Sequence, residues 1–232
     1  MSKLLPLVAA LGAAFAVSTA QAVVLLIDDF NLPVVQQQNG DTTVNGVELE
    51  LFAPQALPGQ IGGTRRVFNN LMQNGSNLLN PVIVTIGGGA GGNMDIQNGA
   101  QANSTVRLQY NTNAFTLTPG PVSIVFALLF SDNGVPNVNT TLNFVFDGAG
   151  MSDFSRMLSL PETLGTNFSF DLNATEAGFF AAGGLLNLTF AGTTSFDLTI
   201  DQIAVEIPEP TSLALAGLAL LGAGVASRRR KA

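Results

Sequence analysis

The chain of 232 residues carries nine Lys or Arg against sixteen Asp or Glu, a net charge of −7. It has no histidine, cysteine or tryptophan and a single tyrosine. An imidazole base, a thiol nucleophile and disulfide support are therefore all excluded, and the acidic balance disfavours nucleic acid as a partner.

The chain opens with one cation, Lys3, followed by an apolar run from Leu4 to Val17 and the small-residue pattern Ala20-Gln21-Ala22. That order of parts is a secretory signal peptide over residues 1–22, with cleavage expected after Ala22 by signal peptidase. No twin arginine precedes the apolar run, so the general secretion machinery is the expected route across the inner membrane. Residues 23–206 then form one domain, long enough to bury a core of its own. Its only cations are Arg65, Arg66, Arg107 and Arg156, and these four against fifteen acids give −11.

Within the domain, hydrophobic alternation points to short strands. Val23 to Phe30 reads as a buried first strand ending in two carboxylates. In Val44 to Phe52, the apolar Val47, Leu49 and Leu51 alternate with Glu48 and Glu50, a half-buried strand stopped by Pro54 and Pro58. Gly62-Gly63-Thr64-Arg65-Arg66 is a tight turn into the next strand, and Val82 to Ile86 is a β-branched strand. Gly87, Gly89 and Gly92 formally satisfy G-x-G-x-x-G. No helical period follows them, however, so a hairpin loop is expected there instead of a dinucleotide site. Strands resume at Ser104 to Tyr110 and at Val122 to Phe130, the latter apolar enough to be central and buried on both faces. Leu142, Phe144 and Phe146 mark another strand. Met151 to Leu160 is the one segment expected to be helical, and further strands follow around Phe168 and Leu188. In the last strand, Phe196, Leu198 and Ile200 share one parity and Ile203, Val205 and Ile207 the other. This change of phase predicts a β-bulge near Asp201-Gln202, or burial of both faces beyond it. Many short strands with Gly, Asn and Pro between them predict an all-β, antiparallel β-sandwich of jelly-roll-like kind.

Asp28-Asp29-Phe30 near the start, Gly62-Gly63-Thr64-Arg65 in the middle and Asp201-Gln202-Ile203 near the end resemble galactose-binding-like jelly-roll domains. In those domains the first and last strands lie together and can hold a structural calcium. The resemblance implies Asp28, Asp29 and Asp201 as hard oxygen ligands for calcium, with Arg65 or Arg66 free to pair with a remaining carboxylate. The alternative reading is that these acids cap turns or pair with the arginines. Sugar-binding modules of this fold use Trp or Tyr platforms. Here there is no tryptophan, Tyr110 lies on the apolar parity of its strand, and the phenylalanines read as core. A carboxylate pair of the kind glycoside hydrolases use is the remaining catalytic option, but no spacing picks out two acids.

The final segment, 207–232, has three parts: Pro208-Glu209-Pro210, an apolar run from Leu213 to Ala226, and the cations Arg228, Arg229, Arg230 and Lys231. As a helix, Thr211 to Ser227 would be about 26 Å long, close to a bilayer's hydrocarbon thickness, with the cations kept on the cytoplasmic side. This tail resembles the PEP-CTERM sorting signal of Gram-negative bacteria that make extracellular polysaccharide. The resemblance implies an exosortase as partner, recognition through Pro208, Glu209 and Pro210, and a transient membrane anchor formed by the helix and its basic cluster. The expectation is a non-enzymatic exported protein of the cell envelope or extracellular matrix, without a cofactor. An exopolysaccharide-binding module is the alternative reading, and a carboxylate-based hydrolase is a third.

Overall fold

A computed structural model describes residues 22–31, 36–39, 47–73, 82–87, 92–117, 120–132, 140–148 and 151–207, with the backbone alone at 36–39, 151–152 and 163–164. The predicted signal peptide up to residue 21, including Ala20, the PEP motif, the predicted tail helix and the basic cluster lie outside these residues. Among the described residues no helix is long and apolar enough to cross a membrane.

The domain is an antiparallel β-sandwich of two seven-stranded sheets. Sheet A holds β1 (Val23–Asp28), β2 (Gln36–Asn39), β6 (Val82–Ile86), β7 (Met94–Asn98), β9 (Val122–Asp132), β12 (Thr163–Leu172) and β14 (Asp197–Ile207). Sheet B holds β3 (Leu49–Glu50), β4 (Gln55–Ala56), β5 (Thr64–Gln73), β8 (Asn103–Thr112), β10 (Thr140–Gly148), β11 (Met151–Leu160) and β13 (Gly184–Ala191). The alternation read in the sequence sets the register of the core. Val106, Leu108 and Tyr110 of β8 lie opposite Phe190, Leu188 and Leu186 of β13, and all six are fully buried. Side chains of one parity point to the same face of a strand, so each such row turns inward together.

The strand β14 is the spine of sheet A. Its first half pairs with β7, its second half with β1, and β9 runs along its other side. The ladder with β9 slips on both sides of Ile200, leaving Asp201 unpaired. That is the predicted bulge. Beyond it Ile203, Ala204 and Val205 are all buried, so the phase change reflects both causes at once. The glycine-rich segment after β6 joins it to β7 as an antiparallel hairpin, as expected.

Three expectations are corrected. Met151–Leu160 is not a helix but the strand β11, paired along β10, where Phe154, Leu158 and Leu160 face the core and Asp153, Ser155, Met157 and Ser159 face out. The helix among the described residues is instead α1 (Ala174–Ala181), started by a capping box in which Asn173 and Glu176 satisfy each other's backbone N–H groups. Finally, Val47 and Leu49 are exposed and only Leu51 of that trio enters the core, because Glu48 and Glu50 are drawn to arginines of sheet B. Two smaller differences concern sheet A: β9 exposes Leu129 on its outer face, and the start of β1 at Val23 and Val24 is open to solvent.

Phenylalanines fill the space between the sheets near α1. Phe144 packs edge-on against Phe170 at 5.1 Å, and Phe180 of α1 packs edge-on against Phe146 at 5.0 Å. Phe170 comes from sheet A and Phe144 from sheet B, so this cluster holds the layers together. Each such pair adds about 0.5–1.5 kcal/mol beyond area burial.

Candidate functional site

The residues singled out near the first and last strands do lie together, because β1 and β14 are antiparallel neighbours. A register shift between Leu26 and Asp28 turns Asp28 inward, opposite the core residue Ile203. There it meets Arg65 of β5, whose Nη1 donates to Oδ1 and Oδ2 at 2.8 and 2.6 Å. The Tyr110 hydroxyl donates to Oδ2 at 2.9 Å and the Phe30 N–H to Oδ1 at 2.8 Å. Nε and Nη2 of Arg65 both donate to Oε1 of Gln55, at 2.9 and 2.7 Å. Asp28, Arg65 and Tyr110 are wholly buried.

The turn before β5 has to pass very close to these strands. A Cβ on Gly62 would sit 2.1 Å from the Ile27 carbonyl oxygen, and one on Gly63 would sit 2.3 Å from that of Asn111. Gly63 also has φ +64. Only glycine fits this approach, which is why the Gly-Gly pair precedes Arg65. Phe30, at φ 53, holds a left-handed conformation that costs a non-glycine residue about 1–2 kcal/mol. Its buried ring under the Arg65 guanidinium, 5.4 Å away, and its N–H bond to Asp28 offset that strain.

Burial pushes the Asp28 carboxyl above its ordinary value, against the pull of the Arg65 charge and the hydrogen bonds. Burial, reinforced by the Asp28 charge, lifts Tyr110 well above its ordinary range, so the phenol stays a donor. Four hydrogen bonds converge on the Asp28 carboxylate, as many as its lone pairs accept. No position is left on it for a hard cation. Asp29 is half-buried and accepts from the Asn31 N–H at 3.1 Å and from Gln60 Nε2 at 2.7 Å. Burial works to raise its carboxyl, but the bonds from Asn31 and Gln60 outweigh that and hold it below its ordinary value. Asp201 is half-exposed at the bulge of β14. Among the described residues there is no group of three or more His, Cys, Asp or Glu side chains able to hold a metal ion. The three acids expected as calcium ligands thus have separate placements, Asp28 in the core, Asp29 in the turn after β1 and Asp201 at the bulge of β14. Asp28 is an arginine's partner and Asp29 a turn cap, the second of the two readings open in the sequence. What the sequence did not signal is that Tyr110 and Gln55 complete the network, since alternation alone marks Tyr110 only as inward.

The other arginines are also committed to carboxylates: Arg66 to Glu50, Arg107 to Glu48 and Arg156 to Glu176. Arg107 and Arg66 cover the ring of Phe68 at 4.0 and 5.1 Å. Phe68 is therefore a surface residue of sheet B, not core as read from periodicity, and its face is already occupied by guanidinium groups. Asp197 lies directly opposite Asp132 across β14 and β9. Burial first, and the Asp132 charge as well, raise Asp197, while the Asn98 N–H partly compensates.

Both ends of the domain leave from one place. Val23 pairs with Ile207, so the chain enters β1 and exits β14 side by side at one end of sheet A. The same end holds the start of β9, the end of β12 and α1, which follows directly on β12. Residues 206–231, which begin inside β14, match the family model described as a PEP-CTERM protein-sorting motif. The chain carries a PEP-CTERM sorting motif. The motif implies export, anchoring at the membrane through this segment, and processing by an exosortase. Pro208, Glu209 and Pro210 fall within the match.

No curated protein matches the chain by sequence. Among solved structures, it is similar to a family 11 carbohydrate-binding module from Clostridium thermocellum in complex with a β-1,3-1,4-mixed-linked tetrasaccharide. That match has 10% identity and TM-score 0.40 over 82% of this chain and 98% of that one. A solution structure of CtCBM11 matches at 11% identity and TM-score 0.39, over 84% of this chain and 99% of that one. A CBM29-2 mutant complexed with mannohexaose matches at 12% and 0.33, over 71% and 94%. At such identities and scores, no site or ligand passes from those modules to the PEP-CTERM chain.

Proposed function

We propose that this is a non-enzymatic, exported cell-envelope protein. Its PEP-CTERM tail holds it at the inner membrane until an exosortase processes it, and its β-sandwich then serves as a structural component of the cell surface or extracellular matrix. The observation that carries this reading is the sorting motif starting within the last strand, next to the end of β1 that directly follows the predicted signal cleavage site. A domain entered and left at one end can be suspended from a membrane by that end, its opposite loops about 30–35 Å away along ten- and eleven-residue strands. The four arginines of the domain are spent in ion pairs, leaving a strongly acidic surface suited to hydrated, neutral surroundings.

The test is processing in a host that has the exosortase. Glu209→Ala should leave uncleaved protein in the inner-membrane fraction; normal release would count against recognition at the PEP motif. The exopolysaccharide-binding reading has one feature in its favour. The outer face of sheet B presents Gln109 and Asn187 beside Arg107, hydrogen-bonded to each other and half-buried. A glycan array with the processed protein separates the two readings: retention of a neutral glycan, abolished by Asn187→Ala, would favour the binding module.

A further inference from the structure

Sheet B ends in β11, which pairs with β10 on one side and with no strand among the described residues on the other. Its ladder is unbroken from Phe154 to Leu160. The remaining edges differ. β1 is six residues long and its Leu26 carbonyl accepts from the Ile61 N–H, while β2, β3 and β4 have four, two and two residues. β12 is ten residues long, but Gly165 takes φ +69 and drops out of the ladder with β9. Twisting, shortening and charging are the ways edge strands are kept from pairing with other chains. In β11 the one register shift lies before Phe154 and the one arginine, Arg156, is held by Glu176 of α1; from Phe154 to Leu160 the strand contains no proline, lysine or acid.

We propose that a second copy of this chain pairs antiparallel with β11 about a two-fold axis at Met157, joining two copies of sheet B into one continuous sheet. The row itself indicates that occupant. Met157, 77% exposed, is the most open of the large apolar side chains in the described domain, and it stands at the middle of the outward series Ser155, Met157, Ser159. With the axis there, Met157 meets Met157 of the second copy, Ser155 meets Ser159, Phe154 meets Leu160 and Arg156 meets Leu158. No like charges are opposed, and an isologous contact of this kind closes after two copies. An acidic domain repels its own copies over most of its surface, and this neutral segment is where two can approach.

The chain has no cysteine, so an introduced one is its sole thiol. In the full chain in mild detergent, Met157→Cys should convert most of the protein to a disulfide-linked dimer on mild oxidation. Residues directly opposite in an antiparallel pair lie about 4.5–5.5 Å apart at Cα, within disulfide reach. Ser155→Cys alone should remain monomeric, since two such residues would be four positions out of register, about 13 Å apart. Mixed with Ser159→Cys chains it should cross-link. Met72→Cys, 52% exposed on β5, is the collision control and should give at least tenfold less dimer. Met157→Lys should halve the mass seen by light scattering while its melting temperature stays within a few degrees of the parent. A monomeric parent chain, equal cross-linking at Met72 and Met157, or an unchanged mass for Met157→Lys would each overturn the proposal.

Discussion

At the residue scale, the buried Asp28–Arg65 pair is the feature on which the domain's stability is most exposed to a single change. Arg65→Met leaves a carboxylate fully buried without its cation, and loss of one partner of such a pair costs about 3–5 kcal/mol. Denaturant unfolding should show a midpoint lowered accordingly, while Tyr110→Phe, which removes one bond to the charged group, should cost about 1.5–3 kcal/mol. Asp197 behaves in the opposite sense. Its carboxyl is raised in the fold, so its contribution to stability is complete below its ordinary value and is lost as pH rises through the folded value. Asp197→Asn keeps the acceptor for the Asn98 N–H and removes the charge. It should melt a few degrees higher than the parent at pH 7, with the advantage vanishing below about pH 4. Asp29, held low, works the other way: its contribution is present above its ordinary value and lost as pH falls through the folded one.

At the scale of elements, the two exchanged assignments have one cause. Met151–Leu160 contains good helix formers, yet its core-facing residues Phe154, Leu158 and Leu160 fall on a single parity, and β10 offers an edge to pair with. Local propensity yields to sheet pairing in such a case. In α1 the decisive signal was short: Asn173 three residues before Glu176, a capping box that a search for apolar period passes over. Asn173→Ala removes the acceptor for two backbone N–H groups and should lower stability by about 1 kcal/mol, read from chemical unfolding. Phe180→Ala, which empties the centre of the aromatic cluster, should cost about 3–5 kcal/mol. The bulge of β14 is the counter-example, because there the sequence parity itself changes and the irregularity was legible in advance.

At the scale of the molecule, β14 ends at Ile207, paired with Val23, so the strand pairing of the domain is complete before the PEP motif begins. Cleavage beyond Ile207 should therefore leave the domain's melting temperature within about 2 °C of the uncut chain. A truncation after Ile200, which removes the half of β14 zipped to β1, should abolish the cooperative transition; circular dichroism on heating distinguishes the two. Period and order along the chain were enough to establish an antiparallel sandwich, the phase change at Asp201, the hairpin after Val82–Ile86, and a tripartite tail whose parts need no partner to be recognised. The identity of neighbouring strands, by contrast, emerged only with the folded arrangement. Folding commits Asp28 to Arg65 and Tyr110, turns Phe68 outward under two arginines, and leaves β11 at an edge of the described sheet. The physical reason is that alternation fixes which face a side chain takes, whereas the choice of partner across that face belongs to residues 37 and 82 positions away in the chain.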